Sequence, residues 1–175
     1  TEASLKESLA NPIGSPPIKD IVSQGDKVAV IVNDNTRVAN THLFIPYLLE
    51  EILESGVNKK DIVIVFANGT HRLMDEDTMK ELIGEAIYNE YQTINHDCQD
   101  ENNLVYVGET SRGNKVKINR WVAEADKVIL TGSIVYHFFA GYGGGRKAVV
   151  PGVAGFDTIL FNHRYMLDPG AEIGH

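Results

Sequence analysis

The chain contains a single cysteine, Cys98. A disulfide within one chain is therefore impossible, and a reducing cytoplasm is the simplest compartment to expect. A lone thiol of this kind reads as a packing or loop residue rather than a nucleophile. No apolar run approaches about 18 residues, so no transmembrane helix is expected, and no signal peptide is visible. Basic residues are outnumbered, with 16 Lys and Arg against 24 Asp and Glu and a net charge of -8. Nucleic acid is thereby removed as an expected partner, because binding a phosphate backbone needs a basic face. There is no repeat at solenoid spacing, no low-complexity tract and no Cys/His set with structural zinc spacing. What remains is ordinary for a globular protein: 175 residues, 43% apolar and 23% charged. That length suits one domain burying roughly two thirds of its unfolded surface. The chain starts at Thr1 without methionine and ends in Glu172-Ile173-Gly174-His175, and both ends are expected to be cut ends.

Residues 1–26 hold a short helical patch at Leu5–Leu9 and then Pro and Gly at a density that marks an irregular lead-in. Lys27–Val32 is apolar and β-branched and reads as a strand buried on both faces. It ends in the polar cluster Asn33-Asp34-Asn35-Thr36-Arg37. Residues 41–55 show helical spacing through Phe44, Tyr47, Leu48 and Ile52, with Gly56 as the C-terminal cap. Pro46 places the first turn close to itself. Glu50, Glu51 and Glu54 read as a solvated helix face. Asp61–Phe66 repeats the buried-strand pattern and ends in Asn68-Gly69-Thr70-His71-Arg72. An acid-fronted helix follows at 75–83. Tyr91–Asn95 reads as a third strand closed by His96-Asp97. Leu104–Val107 and Lys115–Ile118 read as a hairpin, Trp121–Ala125 as a short helix, Lys127–Thr131 as another strand, and Asp157–Arg164 as a helix carrying His163. Strands alternating with helices predict an α/β fold. The sheet should be mainly parallel and Rossmann-like, with helices on both faces and a small β-hairpin insertion. The expected division is a lead-in over 1–26 and one α/β domain over 27–175.

The densest chemistry lies at Tyr136–Lys147, which packs four glycines, His137 and Lys147 into twelve residues. Glycine at that density suits backbone at positive φ or in close approach to a ligand. A phosphate-binding P-loop would need glycine directly before the lysine and Ser or Thr directly after it. Arg146 and Ala148 stand there, so the hydroxyl for magnesium is missing. The dinucleotide fingerprint fits loosely at Gly143, Gly145 and Ala148, but it should open a helix, and Val149-Val150-Pro151 reads as extended chain. The remaining readings are a pocket for an anionic or flat ligand touched by Lys147, or a surface hairpin without chemistry.

Ligands of parallel sheets bind beyond the carboxyl ends of the strands. Asp34 and Arg37, then Thr70, His71 and Arg72, then His96 and Asp97, then His137 all follow predicted strands and share one expected edge. Arg37 suits a carboxylate through its planar fork, or is a surface arginine paired with Asp34. His71 and His137 are candidate general bases, or satisfied loop histidines. His42 reads as a surface residue and His175 lies at a cut end. His163, taken alone, reads as a packed or exposed helix residue.

Asp34-Asn35-Thr36-Arg37, Gly69-Thr70-His71-Arg72, His96-Asp97, Tyr136-His137, Ala140-Gly141, Gly144-Gly145-Arg146-Lys147, Pro151-Gly152-Val153 and Asn162-His163 occur in the order seen in nickel-dependent lactate racemases. The sequence resembles that family from about Lys27 to Gly170. The resemblance implies a nickel-pincer cofactor built on a pyridinium mononucleotide and attached covalently at Lys147, with Gly144, Gly145 and Thr70 around it. It implies His163 as the protein ligand to nickel and His71 and His137 as the acid/base pair. It also puts Asp34 and Arg37 in the substrate pocket, with the arginine on the carboxylate. The Cα–H of a 2-hydroxy acid is too weakly acidic for abstraction by histidine. Hydride transfer avoids that carbanion, and one histidine per enantiomer serves the hydroxyl proton.

The resemblance further implies a missing C-terminal domain that closes over the site, cofactor-building enzymes as partners, and a small 2-hydroxy acid as substrate. Val38-Ala39-Asn40 departs from the proline-containing turn common in the family and leaves substrate identity open. Two other readings stay open. One is a non-catalytic nucleotide- or phosphate-binding module. The other is a metal-assisted hydrolase using the histidines with Asp34.

Overall fold

The computed structural model describes residues 1–174. Four parallel strands form the central sheet: β1 (Val28–Asn33), β2 (Ile62–Ala67), β3 (Gln92–Asn95) and β6 (Lys127–Leu130). Their order is β3-β2-β1-β6, with Val28 opposite both Ile62 and Lys127. An antiparallel pair, β4 (Leu104–Glu109) and β5 (Lys115–Asn119), is inserted between β3 and β6. The α/β, Rossmann-like reading holds.

β1 and β2 are continuous apolar runs because both faces are covered. On one face Val30, Val32, Ile64 and Phe66 pack with Ile45, Leu48 and Ile52 of α2 (Thr41–Glu54) and with Met79 and Ile83 of α3 (Glu76–Ile83). On the other, Ala29, Ile31, Val63 and Val65 meet Ile118, Val122 of α5 (Arg120–Ala123), Val153 and Ile159 of α6 (Phe156–His163). Alternation along a strand sends successive side chains to opposite faces, so the two cores share strands without sharing residues. Strand β6 is an edge, and its Val128 and Leu130, in register with Ala29 and Ile31, are 40% and 36% exposed.

The lead-in contains helix α1 (Glu2–Ala10) and docks on the first core through the buried Val22. A short helix α4 (Glu85–Glu90) follows α3, where the sequence reading placed none. Helix α2 starts at Thr41, so Pro46 sits in its second turn rather than its first. Gly56, at φ +90, follows the C-cap Ser55 in the left-handed region expected of a helix stop. The solvated face of α2 is incomplete. Glu51 is half-buried, and one of its carboxylate oxygens is buried with no partner among the described residues.

The glycine-rich stretch forms a minimal ribbon, β7 (Tyr136–His137) against β8 (Gly141–Tyr142). A single 3-10 turn follows at Gly145–Ala148. Val149 then has φ -88 and ψ -57, so the expectation of extended chain at Val149-Val150-Pro151 is corrected. Successive turns carry the segment: Val149 N–H donates to Arg146 O at 3.0 Å, Gly152 N–H to Lys147 O at 3.0 Å and Val153 N–H to Val149 O at 3.1 Å. Ala148, Val149 and Val150 pack into the second core, and a straight strand could not return them all to it.

Candidate active site

A cavity of about 410 Å³ opens at the carboxyl ends of β1 and β2, next to the loop after β6. Strand order reverses between β1 and β6, which is where open parallel sheets bind ligands. Asp34, Arg37, Thr70, His71, His137, Gly144, Lys147 and His163 all line it. Gly145 does not; it is exposed beyond the wall. His96 and Asp97 also lie outside, and their expected convergence on the cavity is corrected. His96 is 1% exposed, with Nε2 donating to Ala154 O at 3.0 Å and Nδ1 accepting from Asn119 Nδ2 at 3.1 Å. Burial is the main cause that holds its ring below the ordinary histidine range. It staples the sheet to the segment after Pro151, while Asp97 caps the N–H of Gln99 at 2.8 Å. His42 is exposed, as expected, and His175 lies outside the described residues.

Asp34 directly follows β1 and is 2% exposed. The Nδ1–H of His71 donates to its Oδ2 at 2.6 Å, and Thr36 Oγ1–H donates to its Oδ1 at 2.9 Å. The carboxylate is thereby used by its own neighbours. Arg37 makes no ion pair among the described residues, so the pairing with Asp34 considered above does not form. His71 is delivered by a turn after β2, in which its N–H donates to Asn68 O at 2.9 Å. Gly69, at φ +55, turns this loop and donates its N–H to Gly152 O at 2.8 Å. Asn68 beneath it is 1% exposed and spends its amide hydrogens on Asn95 Oδ1 and His96 O.

His137 and Phe139 face the cavity, whereas Phe138 between them does not line it and is 84% exposed. This is the two-residue period of extended chain. The Phe139 ring stands edge-on to His137 at 4.6 Å and to His163 at 6.0 Å, so it lies between the two histidines. Burial, then the charges of Lys147, Arg37 and His163, hold the His137 ring below the ordinary histidine range. Its Nδ1 is buried without a partner among the described residues. Burial, then Arg37, likewise lowers Lys147 from the usual lysine range. His163 ends α6, and its Nδ1–H donates to Ile159 O at 2.7 Å. A neutral ring held that way keeps its free lone pair on Nε2.

The arrangement joins two acid/base candidates, an unpaired guanidinium, a lysine inclined toward the neutral amine and an oriented imidazole donor. No group of three or more His, Cys, Asp or Glu among the described residues could hold a metal by itself. Thr36 and Phe139 were not singled out in the sequence. Thr36 carried a weak signal as the hydroxyl inside a polar cluster, and Phe139 as the residue two on from a strand histidine.

Residues 1–174 match the model of the lactate racemase N-terminal domain. The chain belongs to that family. Lactate racemases from Thermoanaerobacterium thermosaccharolyticum and Lactiplantibacillus plantarum are 34% and 35% identical to it over 175 and 176 residues. Each comparison covers 99% of this chain and 41% of the relative. The structure of the lactate racemase apoprotein from Thermoanaerobacterium thermosaccharolyticum superposes with a TM-score of 0.91 at 36% identity, over 99% of this chain and 42% of that one. A protein from Thermotoga maritima gives 0.79 at 27% identity, over all of this chain and 44% of that one. The chain thus spans about two fifths of the length of its curated relatives. No helix among the described residues is long and apolar enough to cross a membrane.

Proposed function

We propose that this chain is the cofactor-bearing N-terminal domain of a nickel-dependent racemase or epimerase of small 2-hydroxy acids, resembling lactate racemase. One observation carries the reading: His71, His137, His163, Lys147 and Arg37 line a single cavity, and neither cation is paired there. The family match agrees with it. So do the residues themselves. His163 presents one oriented nitrogen donor, and a metal in this cavity would need its other ligands from outside the described residues, as from a bound group. A sulfur-bearing nucleotide meets that need. Lys147, inclined toward the neutral amine, would hold it covalently. The cavity volume is in the usual range for small-molecule sites. The same absence of a three-ligand cluster weighs against the metal-assisted hydrolase.

The cofactor, when bound, supplies an electrophilic acceptor for the hydrogen on Cα and its electron pair. The chain's own residues do the rest. Arg37 takes the substrate carboxylate with a guanidinium that no acid of the described chain competes for. His71 accepts or returns the hydroxyl proton on one side of the substrate, and His137 does so on the other. Burial and the nearby cations favour the neutral form of the His137 ring. It is therefore ready to accept a proton. The second domain expected in the full-length protein would exclude water from the open side.

The test is intact-mass spectrometry with nickel analysis on the full-length protein, produced together with the cofactor-building enzymes. The expected result is an added mass at Lys147 with stoichiometric nickel, absent in Lys147→Ala. His71→Ala and His137→Ala should each abolish racemisation of the accepted 2-hydroxy acid. A protein with neither adduct nor nickel, when a known racemase loads in parallel, would favour the non-catalytic binding module instead.

A further inference from the structure

The two histidines of the cavity are held differently. His137 has no carboxylate near its ring, and its Nδ1 has no partner among the described residues. His71 Nδ1 lies 2.6 Å from Asp34 Oδ2 and 3.4 Å from Thr36 Oγ1. Thr36 has already committed its hydroxyl hydrogen to Asp34 Oδ1 at 2.9 Å. Both neighbours of Nδ1 can therefore only accept. That selects the ring tautomer protonated at Nδ1 and leaves the lone pair on Nε2. The carboxylate is 2% exposed, so little water competes for it, and the imidazole is 46% exposed on the cavity side.

We infer that Asp34 is a positioning residue for His71 rather than a contact of the substrate, with Thr36 locking the carboxylate. The series Thr36, Asp34, His71 fixes the ring so that Nε2 is the nitrogen that exchanges a proton with the bound hydroxy acid. The buried carboxylate also faces the imidazolium that forms when the proton arrives. This inference rests on the racemase reading for its substrate, but the orientation of the ring is a property of the chain alone. It makes the acid/base pair unequal, one ring oriented by an anion and the other set among cations and an aromatic edge.

The experiment uses the full-length protein labelled with nitrogen-15 histidine. Long-range proton–nitrogen spectra at about pH 9, above the ordinary histidine range, report the tautomer of each neutral ring. The His71 signals are assigned by their loss in His71→Gln. The wild type should show the Nδ1–H form. Asp34→Asn keeps the shape, and its amide can donate to Nδ1, so the Nε2–H form should gain. In the loaded enzyme, the wrong tautomer should lower kcat by about 100-fold or more, with KM changed by less than about 2-fold. Thr36→Val should lower kcat by about 5-fold, through loss of one of the hydrogen bonds that hold the Asp34 carboxylate in place, and Thr36→Ser should restore it.

An unchanged tautomer in Asp34→Asn would overturn the inference. So would a raised KM with kcat intact, which would make Asp34 a substrate contact. A wild-type protein that carries nickel yet racemises no 2-hydroxy acid would sink the proposed function instead, and the tautomer comparison would still decide the role of Asp34.

Discussion

A methyl group on Gly152 should damage both the fold and the site, by an amount the contacts define. An ideal Cβ there would lie 2.3 Å from the carbonyl oxygen of Ala148, 2.8 Å from its carbonyl carbon and 2.9 Å from Cβ of Ala67. All three atoms are backbone or first side-chain atoms, so no rotamer change relieves the contact. Either the turn at Gly145–Ala148 or the end of β2 must move. Overpacking costs about 1–3 kcal/mol, and a rigid contact on two sides places Gly152→Ala at about 3. With a urea slope of about 2 kcal/mol per M, the unfolding midpoint falls by about 1.5 M. Gly155→Ala is the control. Its Cβ would lie 2.8 Å from Leu104 Cδ1, the far end of a rotatable side chain, and the cost should be about 1 kcal/mol. The assay is urea unfolding of the 175-residue chain, followed by fluorescence of Trp121, its one tryptophan. Because Gly152 O accepts the N–H of Gly69, the shift also reaches the loop that delivers His71. A midpoint loss in Gly152→Ala no larger than in Gly155→Ala would refute the reasoning.

Acid should weaken the fold through His96. Burial lowers its folded pKa, so the unfolded chain takes the proton first and stability falls as pH drops below about 6.5. His96→Gln should flatten that slope in urea midpoints measured from pH 7 to pH 5. Lys147 should react with amine-directed acylating reagents at about pH 8 before the exposed lysines do. Burial and Arg37 lower its pKa, so Arg37→Ala should slow the labelling, and uniform labelling by peptide mass analysis would count against it. Thr158→Val should cost about 2 kcal/mol, read as a lower thermal midpoint. It strips a buried hydroxyl that donates to Lys115 O at 2.9 Å and accepts from Lys117 N at 3.0 Å. That hydroxyl ties α6, and with it His163, to β5.

The sequence by itself determined the central strands and the order of most elements, though not α4 or the turns after Gly145. Lys27–Val32 and Asp61–Phe66 could only be strands covered on both faces, since an apolar run with no polar alternation has no side to show water. The polar clusters at their ends therefore had to lie on one edge of a parallel sheet. Residues that act through their neighbours in the chain were legible, as with Asp75 accepting the N–H of Thr78 to start α3.

Tertiary structure decided which of the clusters became a site. His96 follows its strand just as His71 does. It turns inward because Asn119 and the carbonyl of Ala154, 23 and 58 residues further on, meet its two nitrogens there. His71 turns outward onto Asp34, 37 residues before it. Local sequence cannot separate these two fates. Each depends on a buried hydrogen-bond partner that only the packed chain brings within reach, and an unpartnered ring nitrogen in the core would cost more than the turn that avoids it.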